Sequence, residues 1–428
     1  MENSNSNIIK LSQVLLSFSR AISMTLGMGL FHTLQIAKIA YIIGKHLSLN
    51  KKQLELLVIS ALLHDIRISS IKKNFTKIDN DIIEEKDFDI LELLNLAKTT
   101  NSSEITDLLL THSLEGAQFL KQSAIKDRLY EIFKKDVQKK DSTETLDPVL
   151  MSKILAVSDL LECATTIEET LEEKAAVATK LIQNFSDMFL DKPLSEKIYN
   201  IVKEKEFWYA TVNQRLFDEL FQEFDDEVYS LYSKEAIKFF ELFALFIDIK
   251  SPHTAKHSTN IAKISKLLAK ELNLPKENLS LIYLAGLIHD IGKLAISNAI
   301  LEKPDKLTKD EYATMKLHPK ITKEILKPMK NVHELIAWGA HHHERINGSG
   351  YPLGITNEEI PMESKIIAVA DVYDALSADR PYRKGMKQEI AFKIIKQDSG
   401  VLFDQECVNA LERILPKVAL LYTANEVI

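Results

Sequence analysis

The stretch His32–Ile66 can be laid on His257–Ile291 without a gap, at a constant offset of 225 residues, and 15 of the 35 columns are identical. The identities include Ile36-Ala37-Lys38-Ile39 against Ile261-Ala262-Lys263-Ile264, and His64-Asp65-Ile66 against His289-Asp290-Ile291. A second match sets Ser152-Lys153-Ile154-Leu155-Ala156-Val157-Ser158-Asp159 against Ser364-Lys365-Ile366-Ile367-Ala368-Val369-Ala370-Asp371, and between the two stretches His112 stands where His318 falls. A period this long belongs to a duplicated domain rather than a solenoid. The chain of 428 residues therefore divides near residue 225, into copies 1–225 and 226–428.

Both copies read as helical. Apolar residues at Ile261, Ile264, Leu267, Leu268 and Leu272 recur at three- and four-residue steps, and Leu279, Ile282, Leu284 and Ile288 do the same. Ser48-Leu49-Asn50 and Asn273-Leu274-Pro275 break the helix before each His-Asp pair. Only 12 glycines and 11 prolines occur, where average usage would give roughly thirty and twenty. Such scarcity of turn-formers excludes an all-β chain and a disordered one. The stretch 166–241, rich in Glu, Lys, Leu and Phe, reads as helix closing the first copy and connecting it to the second. The expected fold class is all-α, two tandem helical bundles.

Composition removes several function classes. A net charge of -7 argues against a binder of nucleic acid polymers, which needs a basic surface to displace counterions from phosphate. Cys163 and Cys407 are too few and too far apart for a disulfide framework or a zinc ribbon. The polar start Met1–Asn7 does not read as a signal peptide, and no run of 18 apolar residues suits membrane insertion. A cytoplasmic protein is expected.

The second copy concentrates chemistry. Eight of the twelve histidines lie there, and His253, His257, His289-Asp290, His318, His341-His342-His343 and Asp371 fall within about 120 residues. Any one histidine is more often a surface or core residue than a ligand, but the combination is harder to dismiss. Imidazole with carboxylate suits Mn, Fe or Zn, and a carboxylate that can bridge suits two metals about 3.5–4 Å apart. Neighbouring residues on a helix differ by about 100°, so each doublet can address two sides of one cluster. Two metals clamping a phosphate point to phosphoester hydrolysis. Lys293, one turn after Asp290, can reach a non-bridging phosphate oxygen, and Arg380 and Arg383 offer guanidinium forks to phosphate or guanine.

The second copy resembles an HD-GYP domain, a branch of the HD phosphohydrolase superfamily. The resemblance is carried by His253-Thr-Ala-Lys-His257-Ser, Leu287-Ile-His-Asp-Ile-Gly-Lys293, Leu301-Glu-Lys-Pro, His318-Pro, His342-His-Glu-Arg-Ile-Asn-Gly-Ser-Gly-Tyr-Pro352, Ile360-Pro, Ala370-Asp-Val-Tyr-Asp-Ala-Leu376 and Arg380-Pro-Tyr-Arg383, over roughly 240–428. It implies HD-type helical bundles and a cyclic di-GMP phosphodiesterase releasing pGpG or GMP at a centre of two divalent metals, iron or manganese. As ligands it implies His257, His289, Asp290, His318, His342, His343 and Asp371, with Asp290 bridging. Catalysis is expected to rest on His289, Asp290 and Lys293, and substrate contacts on Lys293, Arg380, Arg383 and Tyr351.

Two positions depart from the family pattern. His253 replaces the glutamate of forms with a third metal, which leaves it as a third-metal or packing residue and favours two metals. Asn347 replaces an aspartate of the signature loop, a change expected to touch local hydrogen bonding more than chemistry.

Carried through the repeat, the pattern gives His32, His64, Asp65, His112 and Asp159 in the first copy, of which His32, His64, Asp65 and Asp159 resemble the minimal quartet that holds one metal. Ile68 replaces the lysine and Arg67 the glycine. The histidine doublet, the Gly-Tyr-Pro loop and the Arg-Pro-Tyr-Arg run are missing. The first copy is therefore read as degenerate, structural or regulatory, and the second as catalytic. Two other functions compete with the leading one: hydrolysis of another cyclic dinucleotide, cyclic GMP-AMP, since the ligand set does not read the base, and a non-hydrolysing adaptor that responds to such a nucleotide. Pairing of domains of this kind makes a homodimer and signalling-protein partners further expectations.

Overall fold

A computed structural model of the chain describes residues 7–25, 31–64, 147–165, 168, 170–186, 190–212, 228–250, 257–378 and 385–423. The chain forms two compact units, Phe18–Glu227 and Met1–Ser17 with Val228–Ile428. Among the described residues the architecture is helical bundle in both, and no helix is long and apolar enough to cross a membrane.

In the unit Phe18–Glu227, α1 (Leu11–Thr25) enters from the N-terminal segment and is followed by α2 (His32–His46), α3 (Lys51–Leu63), α4 (Pro148–Thr165), α5 (Leu171–Phe185), α6 (Lys192–Val202) and α7 (Lys205–Val212). Helix α2 packs on α3 and α4. Ile36, Ile43, Leu57, Leu62, Ile154 and Val157 are buried between them. Asn50 starts α3 with a capping box: its side chain accepts from Gln53 N, and Gln53 Oε1 accepts from Asn50 N, both at 3.0 Å.

The other unit begins with a ribbon in which β1 (Ile8–Lys10) pairs antiparallel with β2 (Val228–Ser230), Ile9 opposite Tyr229. Next come α8 (Lys234–Lys250), α9 (His257–Glu271), α10 (Lys276–Ile288), a 3-10 turn (Ile291–Ala295), α11 (Asn298–Leu301), α12 (Lys309–Met315), α13 (His318–Leu326), α14 (His333–Ala340), α15 (Met362–Ser377), α16 (Gln388–Gln397) and α17 (Gln405–Thr423). Helix α10 is the core helix, packed by α8, α9, α14 and α15. Ile282, Leu284, Ala285, Leu287 and Ile288 are sealed from solvent, as a helix apolar on most of its faces requires.

The repeat is visible in the backbone as well as in the sequence. Helix α2 ends with Leu47 N donating to Ile43 O, Ser48 N to Lys45 O and Leu49 N to Gly44 O, at 2.9, 3.0 and 3.1 Å. Helix α9 ends with the same three bonds 225 residues on, Leu272 to Leu268, Asn273 to Lys270 and Leu274 to Ala269, at 2.9, 3.1 and 3.0 Å. Ser48 and Asn273 occupy the left-handed region at φ 61° and 57°, the residue that stops a helix in this motif.

Two expectations change. The stretch 166–241 is largely helical where it is described, but in several pieces: Thr170 and Asp191 each accept a backbone N–H three residues on and start new helices, α5 and α6, with Pro193 in the first turn of the latter. The linear split into 1–225 and 226–428 also misses a non-local pairing, since β1 carries Met1–Ser17 into the unit of the second copy. The junction at 225 itself lies outside the described residues.

Candidate metal centre

Five places along the unit of the second copy bring the seven expected ligands. His257 opens α9, His289 and Asp290 follow the last turn of α10, His318 opens α13, His342 and His343 stand just beyond α14, and Asp371 lies in α15. His289, Asp290, His318 and His342 are fully enclosed, and His257 and Asp371 nearly so. Their ligand atoms form two sets, each within 4.8 Å: Asp290, His318, His342 and His343, and His257, His289 and Asp371. Asp290 faces both. Its Oδ1 is 3.2 Å from His318 Nε2 and 3.7 Å from His342 Nε2, while its Oδ2 is 3.1 Å from His289 Nε2 and 3.8 Å from His257 Nε2.

The other ring nitrogens are anchored. His289, His318 and His342 each donate from Nδ1 to the carbonyl three residues back, Gly286, Met315 and Gly339, at 2.8, 2.8 and 2.6 Å. A carbonyl only accepts, so the proton sits on Nδ1 and the Nε2 lone pair is aimed into the centre. Among the described residues, Nε2 of these three histidines and Oδ1 of Asp290 are buried without a hydrogen bond. Each such atom costs about 1–3 kcal/mol unless something takes it.

The charge states suit the same conclusion. Burial, with the adjacent His289 ring adding to it, pushes His342 down to about 3, and burial also takes His343 well below the usual imidazole range. Burial would raise Asp290, but His289 and Lys293 outweigh it and hold the carboxyl well below its ordinary value. Asp371 is likewise depressed against its burial, chiefly by the hydrogen bond with His257. Neutral imidazoles and ionised carboxylates are the ligating forms. The residues fit a divalent metal.

His257 behaves differently. Burial opposes its charge, yet Asp371 and Asp374 on either side raise it to about 10. Raised from 6.5, this proton stabilises the metal-free fold fully below about pH 6.5, and the contribution fades as pH climbs through about 10. A cation entering against Asp371 must displace it. Metal affinity is therefore expected to rise about tenfold per pH unit over this range, read by chelator competition at pH 7 and 8; a flat profile would contradict a protonated His257.

Asp374 was not legible as part of the site. Its Oδ2 accepts from His257 Nδ1 at 2.7 Å, and its Oδ1 accepts from Asn260 Nδ2 at 3.0 Å and the Tyr422 hydroxyl at 2.7 Å. The sequence signal was its place in the motif Ala370–Leu376, one turn after Asp371, which assigned it no role. Glu344 was missed as well: its buried carboxylate accepts from the backbone N–H groups of Leu353, Gly354 and Ile355 at 2.7, 3.1 and 3.2 Å. These bonds hold the loop on which Tyr351 tilts 31° over His343, centroids 4.6 Å apart. Glu344→Ala is expected to cost about 2 kcal/mol and to raise KM more than it lowers kcat, with metal content retained; thermal melting and steady-state kinetics check this.

Lys293, expected on the phosphate, lies 2.5 Å from Asp290 Oδ2. Asn347 Oδ1 accepts from Ser349 N and Oγ at 3.1 and 2.7 Å, a turn contact that an aspartate would make equally well. In the first copy, His32, His64 and Asp159 come together, all buried. His253, Arg380, Arg383, Asp65 and His112 lie outside the described residues.

Residues 241–407 match the family model described as HD domain. Over 96% of this chain and 95% of its own length, the 3'3'-cGAMP-specific phosphodiesterase 3 of Vibrio cholerae serotype O1 is 26% identical. The cyclic di-GMP phosphodiesterase response regulator RpfG of Xanthomonas campestris pv. campestris is 42% identical over 171 residues, 39% of this chain and 45% of that protein. Among solved structures, the cyclic GMP-AMP specific phosphodiesterase V-cGAP3 of V. cholerae aligns over 96% of this chain and 98% of its own, at TM-score 0.60 and 25% identity. The stretch that matches the HD domain model thus carries the candidate ligand set, assembled on helices in the order in which its motifs occur.

Proposed function

We propose that this chain is a metal-dependent phosphodiesterase that hydrolyses cyclic di-GMP to pGpG, GMP or both, using two divalent ions, iron or manganese. The observation that carries the proposal is the Asp290 carboxylate set between two buried ligand clusters, one oxygen to each. Two cations held there would supply Lewis acidity at a phosphoryl oxygen and a hydrolytic water with a lowered pKa.

The chain's own groups do the rest. Three Nδ1 anchors keep the ligating nitrogens in place before substrate arrives, so no reorganisation is needed during the reaction. Lys293, about a quarter exposed at its side chain, sits at the edge of the centre, where an incoming phosphate competes with Asp290 for its ammonium. Tyr351 gives a nucleobase an aromatic wall beside the His343 cluster, and the Lys316 ammonium lies 5.7 Å over the same ring.

Cyclic GMP-AMP is the second reading. It is favoured by the cGAMP-specific relative that aligns along both copies, whereas the RpfG match covers only 39% of the chain. The test is anaerobic loading with iron or manganese, metal analysis, and timed hydrolysis of both nucleotides with product identification. Faster turnover of cyclic di-GMP supports the main reading and faster turnover of cyclic GMP-AMP the second. A fully metallated protein that cleaves neither would refute both.

A further inference from the structure

The first copy keeps the geometry of half of the second copy's centre. His32 Nε2 lies 3.8 Å from Asp159 Oδ1, where the equivalent His257 Nε2 lies 3.5 Å from Asp371 Oδ1. His32 Nδ1 lies 2.9 Å from Glu162 Oε2, three residues after Asp159, just as His257 Nδ1 lies 2.7 Å from Asp374, three residues after Asp371. His64 Nδ1 donates to Ala61 O at 2.8 Å, as His289 Nδ1 donates to Gly286 O at 2.8 Å. The ring pairs His32–His64 and His257–His289 are 6.2 and 5.7 Å apart.

Each of these contacts has a job in metal binding. The carboxylate on His32 Nδ1 and the carbonyl on His64 Nδ1 fix which nitrogen carries the proton in each ring, so the ligating nitrogens are oriented. The three ligand atoms lie within 4.8 Å of one another on residues at most 7% exposed. A copy that had lost all use for a cation would have no reason to keep two imidazoles and a carboxylate buried together, where polar groups are costly.

What the first copy lacks is the other half. No histidine lies between His112 and Asp159, so no imidazole pair corresponds to His342 and His343. It gains a thiol instead: Cys163, whose Sγ is 3.8 Å from Asp159 Oδ1, stands where the second copy has Ala375. Sulfur beside imidazole shifts preference toward zinc or ferrous iron and away from manganese.

We propose that the first copy is a second, mononuclear metal site: His32, His64 and Asp159 hold one divalent transition cation that pins α2, the end of α3 and α4 together. The site is independent of hydrolysis in the second copy. Two arms test it in the full-length chain, by metal analysis after loading with zinc or ferrous iron and gel filtration. In a chain whose second centre is removed by His289→Ala, Asp290→Asn and His342→Ala, one equivalent of metal per chain is expected to remain, and adding His32→Ala with His64→Ala takes it to zero. In the otherwise wild-type chain, His32→Ala with His64→Ala removes one equivalent and abolishes the part of the chelator-induced drop in Tm that belongs to the first copy. Circular dichroism checks that each variant is folded, and Asp159→Asn substitutes for any that is not. No metal left in the first arm, or an unchanged metal count in the second, overturns the proposal.

Discussion

Asp290→Asn is expected to lower cyclic-dinucleotide hydrolysis by about 10^3-fold or more. Removing a single fixed donor to a developing charge already costs about 10^2–10^3, and this change removes the charge shared by both clusters. Each Asp290 oxygen serves a different set, at 3.1 Å from His289 and 3.2 Å from His318. An amide presents one oxygen and one NH2 group, and the NH2 end cannot ligate. One cluster is thus left with a donor where it had a carboxylate oxygen. Metal analysis should show at least one equivalent lost from the second copy, with helix content unchanged. His64→Ala, made in parallel, should leave hydrolysis at ambient temperature largely intact, because the first copy lacks the doublet and the lysine that the reaction needs. Were His64→Ala to abolish hydrolysis and Asp290→Asn to spare it, the two copies would have exchanged roles.

The candidate ligands were named through the resemblance of their motifs, and helix geometry makes their spacing intelligible. His289 and Asp290 adjoin at a helix end, His342 and His343 do likewise, the offset of 225 residues places His32 and His64, and the second match, of 152–159 with 364–371, places Asp159. Periodicity fared less evenly: Ile261, Ile264 and Leu268 are buried as expected, while Leu267 and Leu272 are half-buried because the helix turns its edge to solvent there. The groups that hold the ligands were harder to see. Asp374 lies one turn past Asp371, but its role appears only once α9 and the Tyr422 hydroxyl at the far end of α17 are brought to it. Glu344 sits inside the signature loop and looks like any surface glutamate until three backbone N–H groups close on it. The pairing of Ile8–Lys10 with Val228–Ser230 joins segments about 220 residues apart, which no local pattern encodes.

Gly292→Ala is expected to be the most damaging small substitution in the second copy, and for a reason of space. Gly292 lies between Asp290 and Lys293, in the 3-10 turn that rests on the start of α13. A Cβ there would meet His318 O at 1.9 Å and Thr322 N at 2.7 Å. Both are backbone atoms, so no side chain can rotate away. Gly292 N also donates to Thr322 Oγ1 at 3.0 Å, which ties the turn to α13. Separating the two by more than an ångström breaks that bond and carries His318 away from Asp290. Overpacking of this kind costs about 3 kcal/mol or more, or about 10 °C in Tm for a unit of this size. Gly400→Ala is the control: its φ of 77° disfavours alanine, but nothing lies within 4 Å of the added carbon, so only the backbone term of about 1 kcal/mol is lost. A melt that ranks Gly400→Ala as the worse of the two would show that α13 yields freely. In that case His318 would not be held in place by the turn, and the pre-set geometry of its cluster would have to come from metal binding itself.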